Sequence, residues 1–314
     1  NGTFNASSVF QINRNIAKTQ NKGLELTLTT RNIVSRNFNW TSTVTFFKNK
    51  EKVTALGEGA ADFIENGDYT LHIGDALQSY RAFKIAGVWQ YGEEADAAVF
   101  GKQPGDLKVE IPNMEKISNG VWEKSFEQED GTWKTNRYDA ENPYSVNADD
   151  KQIIGHKSPD WSLGFQNTFT WKNFDLSIYM YLRQGQMFYY EPITWYSSSG
   201  GAFPSCFNYW TPENPSNDFP SLNASRNWRD DQYYTSLAYV DGSFFKIKNI
   251  TLGYTMPKRL CSKIGLTNLR VYGTITNPLV IANSHLLEDY DPEMGGGLDF
   301  PLTKQLVFGL NLSF

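Results

Sequence analysis

The 314-residue chain is 40% hydrophobic with a mean hydropathy of −0.49. No segment of it approaches the roughly 18 consecutive apolar residues that a membrane-spanning helix requires. Its 29 basic and 34 acidic residues give a net charge of −5, which argues against a nucleic-acid-binding protein. Three dispersed histidines and two cysteines have no ligand-like spacing and disfavour a zinc site.

Alternating apolar and polar side chains recur in several segments along the chain. Successive residues of a β-strand point to opposite faces, so each segment predicts a strand with one apolar face and one polar face. In chain order, the apolar positions are Leu24, Leu26 and Leu28; Phe38, Trp40, Val44 and Phe46; Trp161, Leu163, Phe165, Phe169 and Trp171; Phe174, Leu176, Ile178, Met180 and Leu182; Ile250, Leu252, Tyr254 and Met256; Leu269, Val271 and Ile275; Leu306, Phe308, Leu310, Leu312 and Phe314.

The length of these segments separates two kinds of β-protein. They run for about 9 to 14 residues, whereas strands of globular proteins average about 5–6 and tilted membrane strands need about 9–11. The polar face consists mainly of Thr, Asn, Ser, Gln and Gly, as a wet lumen requires. The pattern favours an all-β, antiparallel transmembrane β-barrel. A secreted two-layer β-sandwich shows the same alternation and stays open as the alternative.

The connections between the predicted strands differ greatly in length. Two residues separate Trp171 from Phe174, which predicts a tight turn. Short turns on one side and long loops on the other are typical of outer-membrane barrels. The long connections are residues 51–78, 91–158, 185–241 and 278–303.

The number of strands depends on the segment at residues 80–89, "YRAFKIAGVW". An even number of spanning strands must separate the ascending strand near 37–50 from the descending strand near 160–171. Segment 80–89 therefore either does not span the membrane or is paired with a second spanning strand, for which residues 106–111 are the candidate. The sequence predicts seven to nine strands.

The aromatic loop at residues 187–210 is the best candidate for binding a ligand or a partner. Aromatic rings can stack on sugar faces or hold a peptide. Packing of the same rings inside the loop is an equally good interpretation. The candidate residues are Tyr189, Tyr190, Trp195, Tyr196 and Trp210.

Carboxylates cluster in two loops without a catalytic arrangement. "DYDPEMGGG" groups Asp289, Asp291 and Glu293, but nothing fixes two of them as an acid–base pair across a cleft, so a loop turn is favoured over catalysis. Asp149 and Asp150 are predicted to be solvated loop carboxylates, because the alternating oxygen ligands of a calcium loop are absent around them. The sequence predicts no catalytic residue, no metal ligand and no cofactor.

Cys206 and Cys261 are predicted to be free thiols at opposite ends of one spanning strand. An exported chain with an even number of cysteines normally suggests a disulfide. Cys206 lies in the long loop 185–241, however, and Cys261 lies in the short connection after Met256. The intervening strand separates them by far more than the roughly 7 Å Cα–Cα limit of a disulfide.

A series of motifs in chain order resembles one family. The series resembles the C-terminal part of SusC/RagA-type TonB-dependent transporters, and it covers nearly the whole chain. The motifs are "NKGLELTL", "IIGHKSPDWSLGFQNTFTWKNFDLSIY", "WTPENPSNDFP", "SFFKIKNITLGYTMPKRL", "LTNLRVYGTITNP" and "DYDPEMGGGLDFPLTKQLVFGLNLSF".

The resemblance implies a barrel of about 22 strands filled by an N-terminal plug. It also implies a SusD-like surface lipoprotein as a lid, and import of oligosaccharides or peptides driven by the TonB complex through the plug. Residues 1–314 are then the C-terminal portion of the barrel, and the plug is expected elsewhere. The implied location is the outer membrane of a Gram-negative bacterium.

The last strand has a particular role in this interpretation. Its apolar face would contact lipid, and its terminal aromatic residue resembles the signal by which outer-membrane assembly machinery engages barrel strands. Pairing with the first strand of the barrel would remove the exposed sheet edge. The residues of this assembly strand are Leu306, Phe308, Leu310, Leu312 and Phe314.

Overall fold

The computed structural model describes residues 17–57, 63–66, 69–196, 207–222 and 233–314. The side chains of residues 63–66 and 195–196 are outside this description. No helix among the described residues is long and apolar enough to cross a membrane.

Strands dominate the described part of the chain, and the three α-helices are each of six residues or fewer. This composition confirms the predicted all-β, antiparallel fold class. The strands are β1 (Ala17–Val34), β2 (Phe38–Leu56), β3 (Phe63–Asn66), β4 (Tyr69–His72), β5 (Ser79–Ala82), β6 (Lys84–Val88), β7 (Leu107–Glu110), β8 (Met114–Ser118), β9 (Val121–Glu127), β10 (Trp133–Tyr138), β11 (Gln152–His156), β12 (Trp161–Trp171), β13 (Phe174–Gln184), β14 (Met187–Tyr189), β15 (Tyr239–Asp241), β16 (Phe244–Thr255), β17 (Asn268–Ala282) and β18 (Gln305–Ser313); the helices are α1 (Glu94–Val99), α2 (Glu191–Tyr196) and α3 (Lys258–Cys261).

Seven long strands form one antiparallel sheet, here called the main sheet. Its order is β1-β2-β12-β13-β16-β17-β18, so strands adjacent in the sheet follow one another along the chain apart from short strands inserted in the loops. The two-residue turn predicted between Trp171 and Phe174 is present, and Lys172 adopts a φ of 53° in it. One end of the sheet carries such short connections and is called the turn end. The opposite, loop end carries the long connections.

The register aligns apolar residues into rows across one face of the main sheet. A sandwich would bury this face against a second sheet, yet Trp171 and Leu310 are 53% and 57% exposed. Within the described residues the apolar face is therefore uncovered, which favours the barrel over the sandwich. One row, across six of the seven strands, is Leu310, Val271, Tyr254, Phe174, Trp171 and Phe38.

The opposite face of the main sheet is lined by small polar side chains. The Oγ1 atoms of Thr251 and Thr274 lie 2.9 Å apart across two of its strands. This polar face is the one that the sequence predicted for a water-filled lumen. A representative row is Thr41, Thr168, Ser177, Thr251 and Thr274.

Asn167 interrupts the alternation by placing an amide on the apolar face. The Trp40 indole Nε1 and the Ser42 Oγ donate to Asn167 Oδ1 over 2.9 and 2.7 Å. Asn167 and Ser42 are both buried beside the large aromatic side chains of this face. The polar pair is therefore hydrogen-bonded within the protein, as buried polar groups among apolar side chains must be.

Segment 80–89 does not join the main sheet, because β2 pairs directly with β12. Its strand β6 pairs instead with β7 in a separate two-stranded sheet, with Lys84 opposite Glu110 and Val88 opposite Leu107. Residues 106–111 thus contain the strand that pairs with this segment, as predicted. The pair lies outside the main sheet, however, so neither strand is one of the predicted spanning strands. The main sheet has seven strands, the lower end of the predicted range.

The loop between β2 and β12 has a hydrophobic core of its own, here called the first loop core. Residues from another long loop complete it, so the two loops pack together at the loop end. Its buried members are Phe83, Val88, Leu107, Ile111, Tyr144, Val146, Trp210 and Tyr233.

The prediction that Asp150 is a solvated carboxylate is wrong. Asp150 is fully buried, where it accepts hydrogen bonds from Lys124 Nζ and from the Tyr144 hydroxyl. Its carboxylate also accepts the backbone N–H of Asn147, which closes a capping box around a short 3-10 turn. A buried charge needs such partners, and Lys124 supplies one from a distant strand. Asp149 is exposed, as predicted.

Cys261 is a free, fully buried thiol at the turn end, with Sγ 3.6 Å from the Met256 carbonyl oxygen. We expect a membrane-impermeant maleimide added to intact cells to leave Cys261 unmodified, and labelling to appear only after denaturation. Cys206 lies outside the described residues, and its predicted position at the opposite end of β16 remains a prediction. A Cys206–Cys261 disulfide in non-reducing peptide mapping would contradict both placements.

Candidate ligand-binding cleft

A second hydrophobic core, the second loop core, lies at the loop end of the main sheet. It joins the short β14–β15 ribbon and helix α2 to the loop between β17 and β18, called the terminal loop (residues 283–304). This core fixes the terminal loop beside the aromatic loop singled out in the sequence. Its buried members are Phe188, Ile193, Phe207, Phe219, Ala238, Val240 and Leu287.

The predicted aromatic candidates occupy different surroundings. Tyr189 packs edge-on against Tyr239, with ring centroids 5.3 Å apart. Tyr190 packs edge-on against Tyr290 at 4.9 Å and lines a cleft. The structure thus brings Tyr190 to a site of ligand size.

Trp210 lies inside the first loop core and is only 5% exposed. Its indole Nε1 donates to Gln90 Oε1 over 3.1 Å, and the Tyr91 ring packs against it at 5.3 Å. This placement favours the packing interpretation for Trp210. Trp195 and Tyr196 end helix α2, but their side chains are outside the described residues.

A Trp210→Phe variant distinguishes packing from ligand binding. Phe keeps most of the buried ring but loses the hydrogen bond to Gln90, so the loop should lose about 1 kcal/mol of stability. We expect faster proteolysis of the loops in the variant, with unchanged affinity for cargo. Unchanged proteolysis together with weaker cargo binding would assign Trp210 to a binding site instead.

The cleft beside Tyr190 has a volume of about 690 Å³, within the range of ligand sites in proteins. Among the described residues, the terminal loop supplies most of its wall, and Tyr190, Pro192 and Phe207 supply the remainder. Its lining residues are Tyr190, Pro192, Phe207, His285, Leu286, Glu288, Asp289, Tyr290, Asp291, Met294, Gly297, Leu298, Asp299 and Pro301.

A buried lysine of β16 anchors the terminal loop over the polar face of the main sheet. Lys246 Nζ is fully buried and donates to Asp291 Oδ2 at 2.5 Å and to Glu293 Oε2 at 2.7 Å. Lys248 Nζ reaches Glu293 Oε1 at 2.6 Å. Because both carboxylates are held by lysines, the geometry gives Asp291 and Glu293 a structural role and agrees with the predicted loop turn.

The glycine run explains how the terminal loop approaches β14 so closely. Gly296 has a φ of 98°, and a Cβ added to it would lie 2.0 Å from the Tyr189 carbonyl oxygen. Its own carbonyl accepts the Glu191 N–H at 3.0 Å, and its N–H donates to the Tyr290 hydroxyl at 2.8 Å. Only glycine fits this contact, which places the cleft wall against the aromatic loop.

The ion pairs that join Lys246 and Lys248 to Asp291 and Glu293 make the contact between the terminal loop and β16 sensitive to pH. Burial alone would raise the pKa of Glu293, but hydrogen bonds from Lys246 and Lys248 outweigh it and hold the pKa below its ordinary value. A lowered pKa in the folded state adds stability above the ordinary value of 4.5, and this stability is lost as the pH falls through the lowered pKa.

We therefore expect the terminal loop to be protected from protease at neutral pH and to open as the pH falls below 4.5. Limited proteolysis with an acid-active protease across this range measures the change. The Glu293→Gln variant, which cannot ionise, serves as the control and should show a weaker pH response. An identical pH response in the parent protein and in the Glu293→Gln variant would show that the Glu293 carboxylate does not hold the loop.

Burial is the largest cause that raises the pKa of Tyr290, and the carboxylates of Asp299, Glu191 and Asp291 raise it further. The hydrogen bond from the Gly296 N–H opposes these effects without cancelling them. Two of these carboxylates, Asp291 and Asp299, line the cleft together with Tyr290.

Sequence reasoning missed Lys246 and Lys248, which hold the cleft wall in place. The available signal was two lysines two residues apart in a predicted strand, followed by acidic residues in a later loop. In the structure Lys246 precedes the bulge of β16 and Lys248 occupies it. Nothing in the sequence indicated that this loop folds back over β16.

The chain is similar in sequence to several TonB-dependent receptors. No family model matches the chain. A TonB-dependent receptor of Formosa agariphila is 29% identical over 326 residues, covering 96% of this chain and 30% of the relative. The TonB-dependent receptor SusC of Bacteroides thetaiotaomicron is 24% identical over 310 residues, covering 97% of this chain and 27% of the relative.

A solved structure of the RagAB peptide transporter superposes with a TM-score of 0.70 at 22% identity, covering 96% of this chain and 30% of that chain. At this identity the superposition shows the fold. The chain spans about 30% of the length of these relatives. The resemblance to SusC/RagA-type TonB-dependent receptors that the motifs predicted is confirmed.

Proposed function

We propose, from this similarity to TonB-dependent receptors, that the chain forms the C-terminal part of an outer-membrane barrel that imports oligomeric nutrients. In this proposal the main sheet is a segment of the barrel wall, with its apolar face against lipid and its polar face toward the lumen. The protein moves cargo and carries out no bond-making chemistry.

The observation that carries the proposal is the uncovered apolar face of the main sheet. The 11 residues of β12 rise about 36 Å along the strand, which becomes about 25 Å at a tilt of about 45°. This matches the apolar band of about 25 Å found on outer-membrane barrels. An uncovered apolar face of this height would aggregate in water, whereas lipid covers it in a membrane.

The proposed partners follow from the unpaired elements and from the family resemblance. β1 and β18 are the two edges of the main sheet and would pair with the remaining strands of the barrel. A plug outside this chain would fill the lumen and contact the TonB complex. A SusD-like surface lipoprotein would cover the loop end, and the cargo would be a glycan or a peptide.

Depletion of nutrients from the medium tests this function. Cells that carry the full-length transporter, cells that lack it and cells that lack TonB would each receive a casein tryptic digest and a mixture of neutral hexasaccharides. We expect mass spectrometry to show loss of one of the two pools only with both transporter and TonB. Equal depletion by all three strains, with the protein recovered in the medium, would favour the secreted β-sandwich.

A further inference from the structure

The cleft beside Tyr190 carries an excess of negative charge. Glu288, Asp289 and Asp299 lie in its lining, and no ion pair within the described part of the chain joins any of them to a cation. Asp291 also lines it but is held by Lys246. His285 is the one basic side chain among the described lining residues, and its Nε2 lies 3.6 Å from Asp218 outside the cleft.

The described lining also offers few side-chain hydrogen-bond donors to a neutral sugar. No Asn, Gln, Ser, Thr, Lys or Arg is among the lining residues that the structure describes. The hydroxyl of Tyr290 donates to the Gly297 carbonyl oxygen at 3.0 Å and is thus already engaged. The carboxylates are acceptors only, so the complementary ligand is rich in donors and poor in acceptors.

The remaining wall is aromatic and apolar. Tyr190, Tyr290 and Phe207 offer rings, and Leu286 and Met294 offer aliphatic surface. An aromatic wall can stabilise a cation directly and can also cover the methylene stem of a long cationic side chain. Ammonium and guanidinium groups on aliphatic stems fit both parts of the lining.

We propose that this cleft binds Lys and Arg side chains of an extended peptide and so selects basic peptides as cargo. The inference rests on the proposed import function and names the cargo class for it. Lys246 holds the terminal loop over the polar face of the main sheet, which is the lumen side in the proposed barrel. A peptide held in the cleft would therefore lie at the entrance to the lumen.

Binding of defined peptides to the purified full-length transporter in detergent tests the proposal. The probes are fluorescently labelled Ala-Lys-Ala-Lys-Ala, the same peptide with Gln or Glu in place of Lys, and labelled maltohexaose. We expect the Lys peptide to bind about tenfold or more tightly than the Gln peptide, and its affinity to fall as salt is raised.

Charge-removing variants locate the binding site. The triple variant Glu288→Gln, Asp289→Asn, Asp299→Asn should lose the preference for Lys over Gln, because these side chains are exposed and supply the uncompensated charge. Glu115→Gln, an exposed carboxylate on β8 away from the cleft, is the matched control and should retain the preference. Equal yield and detergent stability of all variants exclude a folding defect.

Equal affinity for the Lys and Gln peptides, or an unchanged preference for Lys in the triple variant, would overturn the proposal. Binding of maltohexaose that is tighter than that of the Lys peptide and independent of salt concentration would also overturn it. A failure of the proposed import function can be distinguished from a failure of the cleft assignment. If the depletion experiment shows no TonB-dependent uptake while charge-dependent peptide binding persists, the cleft assignment stands and the import function fails.

Discussion

Replacing Lys246 with Met is expected to release the terminal loop from the main sheet. The Met side chain fills a similar volume but leaves the carboxylates of Asp291 and Glu293 without their buried cation; they are only 10% and 17% exposed. Removing one partner of a buried ion pair costs about 3–5 kcal/mol, since the remaining charge is uncompensated. The loop should therefore open locally while the main sheet stays intact.

Hydrogen exchange of the backbone amides at residues 291–297 measures this opening, with the amides of β16 as an internal reference. Lys248→Met is the matched control, because Lys248 is 33% exposed and its one ion pair among the described residues is with Glu293. Its loss should cost about 1 kcal/mol or less. Equal protection of the loop in the Lys246→Met variant and in the parent protein would show that the second loop core alone holds it.

Leu310→Arg and Leu176→Arg are expected to lower the yield of assembled protein in the outer membrane. Both leucines lie on the apolar face, so each substitution would place a cation against lipid at a cost of about 2–4 kcal/mol near the bilayer midplane. Thr168→Arg adds the same charge on the polar face and is the matched control.

Quantitative blotting of the outer-membrane fraction, with an unfolding assay on the purified protein, compares the three variants. The two leucine variants should fall well below the parent protein, and the Thr168→Arg variant should fall less. Equal yields in all three would overturn the assignment of the two faces.

The long strands could be predicted from the sequence because their signal is local. Alternation with period two fixes both the strand and its two faces, and it needs no knowledge of distant residues. For the same reason the two-residue turn before Phe174 could be predicted, since it depends on neighbouring residues alone. The path of the chain between β2 and β12 could only be narrowed, because short loop strands share the same alternation.

The roles of the buried charges could not be predicted, because their partners are distant in sequence. Asp150 is separated by 26 residues from Lys124, and Asp291 by 45 residues from Lys246. A carboxylate in a polar loop looks solvated unless the fold brings a lysine to it. Trp210 shows the same limit, since its hydrogen-bond partner Gln90 lies 120 residues away.

An accessibility scan of β18 tests the two-faced wall most directly. Single nitroxide labels at residues 305–313 of the full-length protein in lipid bilayers would report contact with dissolved oxygen and with a water-soluble nickel chelate. We expect labels at Leu306, Phe308, Leu310 and Leu312 to favour oxygen, and the labels between them to show a lower oxygen-to-nickel ratio. A ratio that does not alternate, or uniform access to the nickel chelate, would contradict a strand with lipid on one face and lumen on the other.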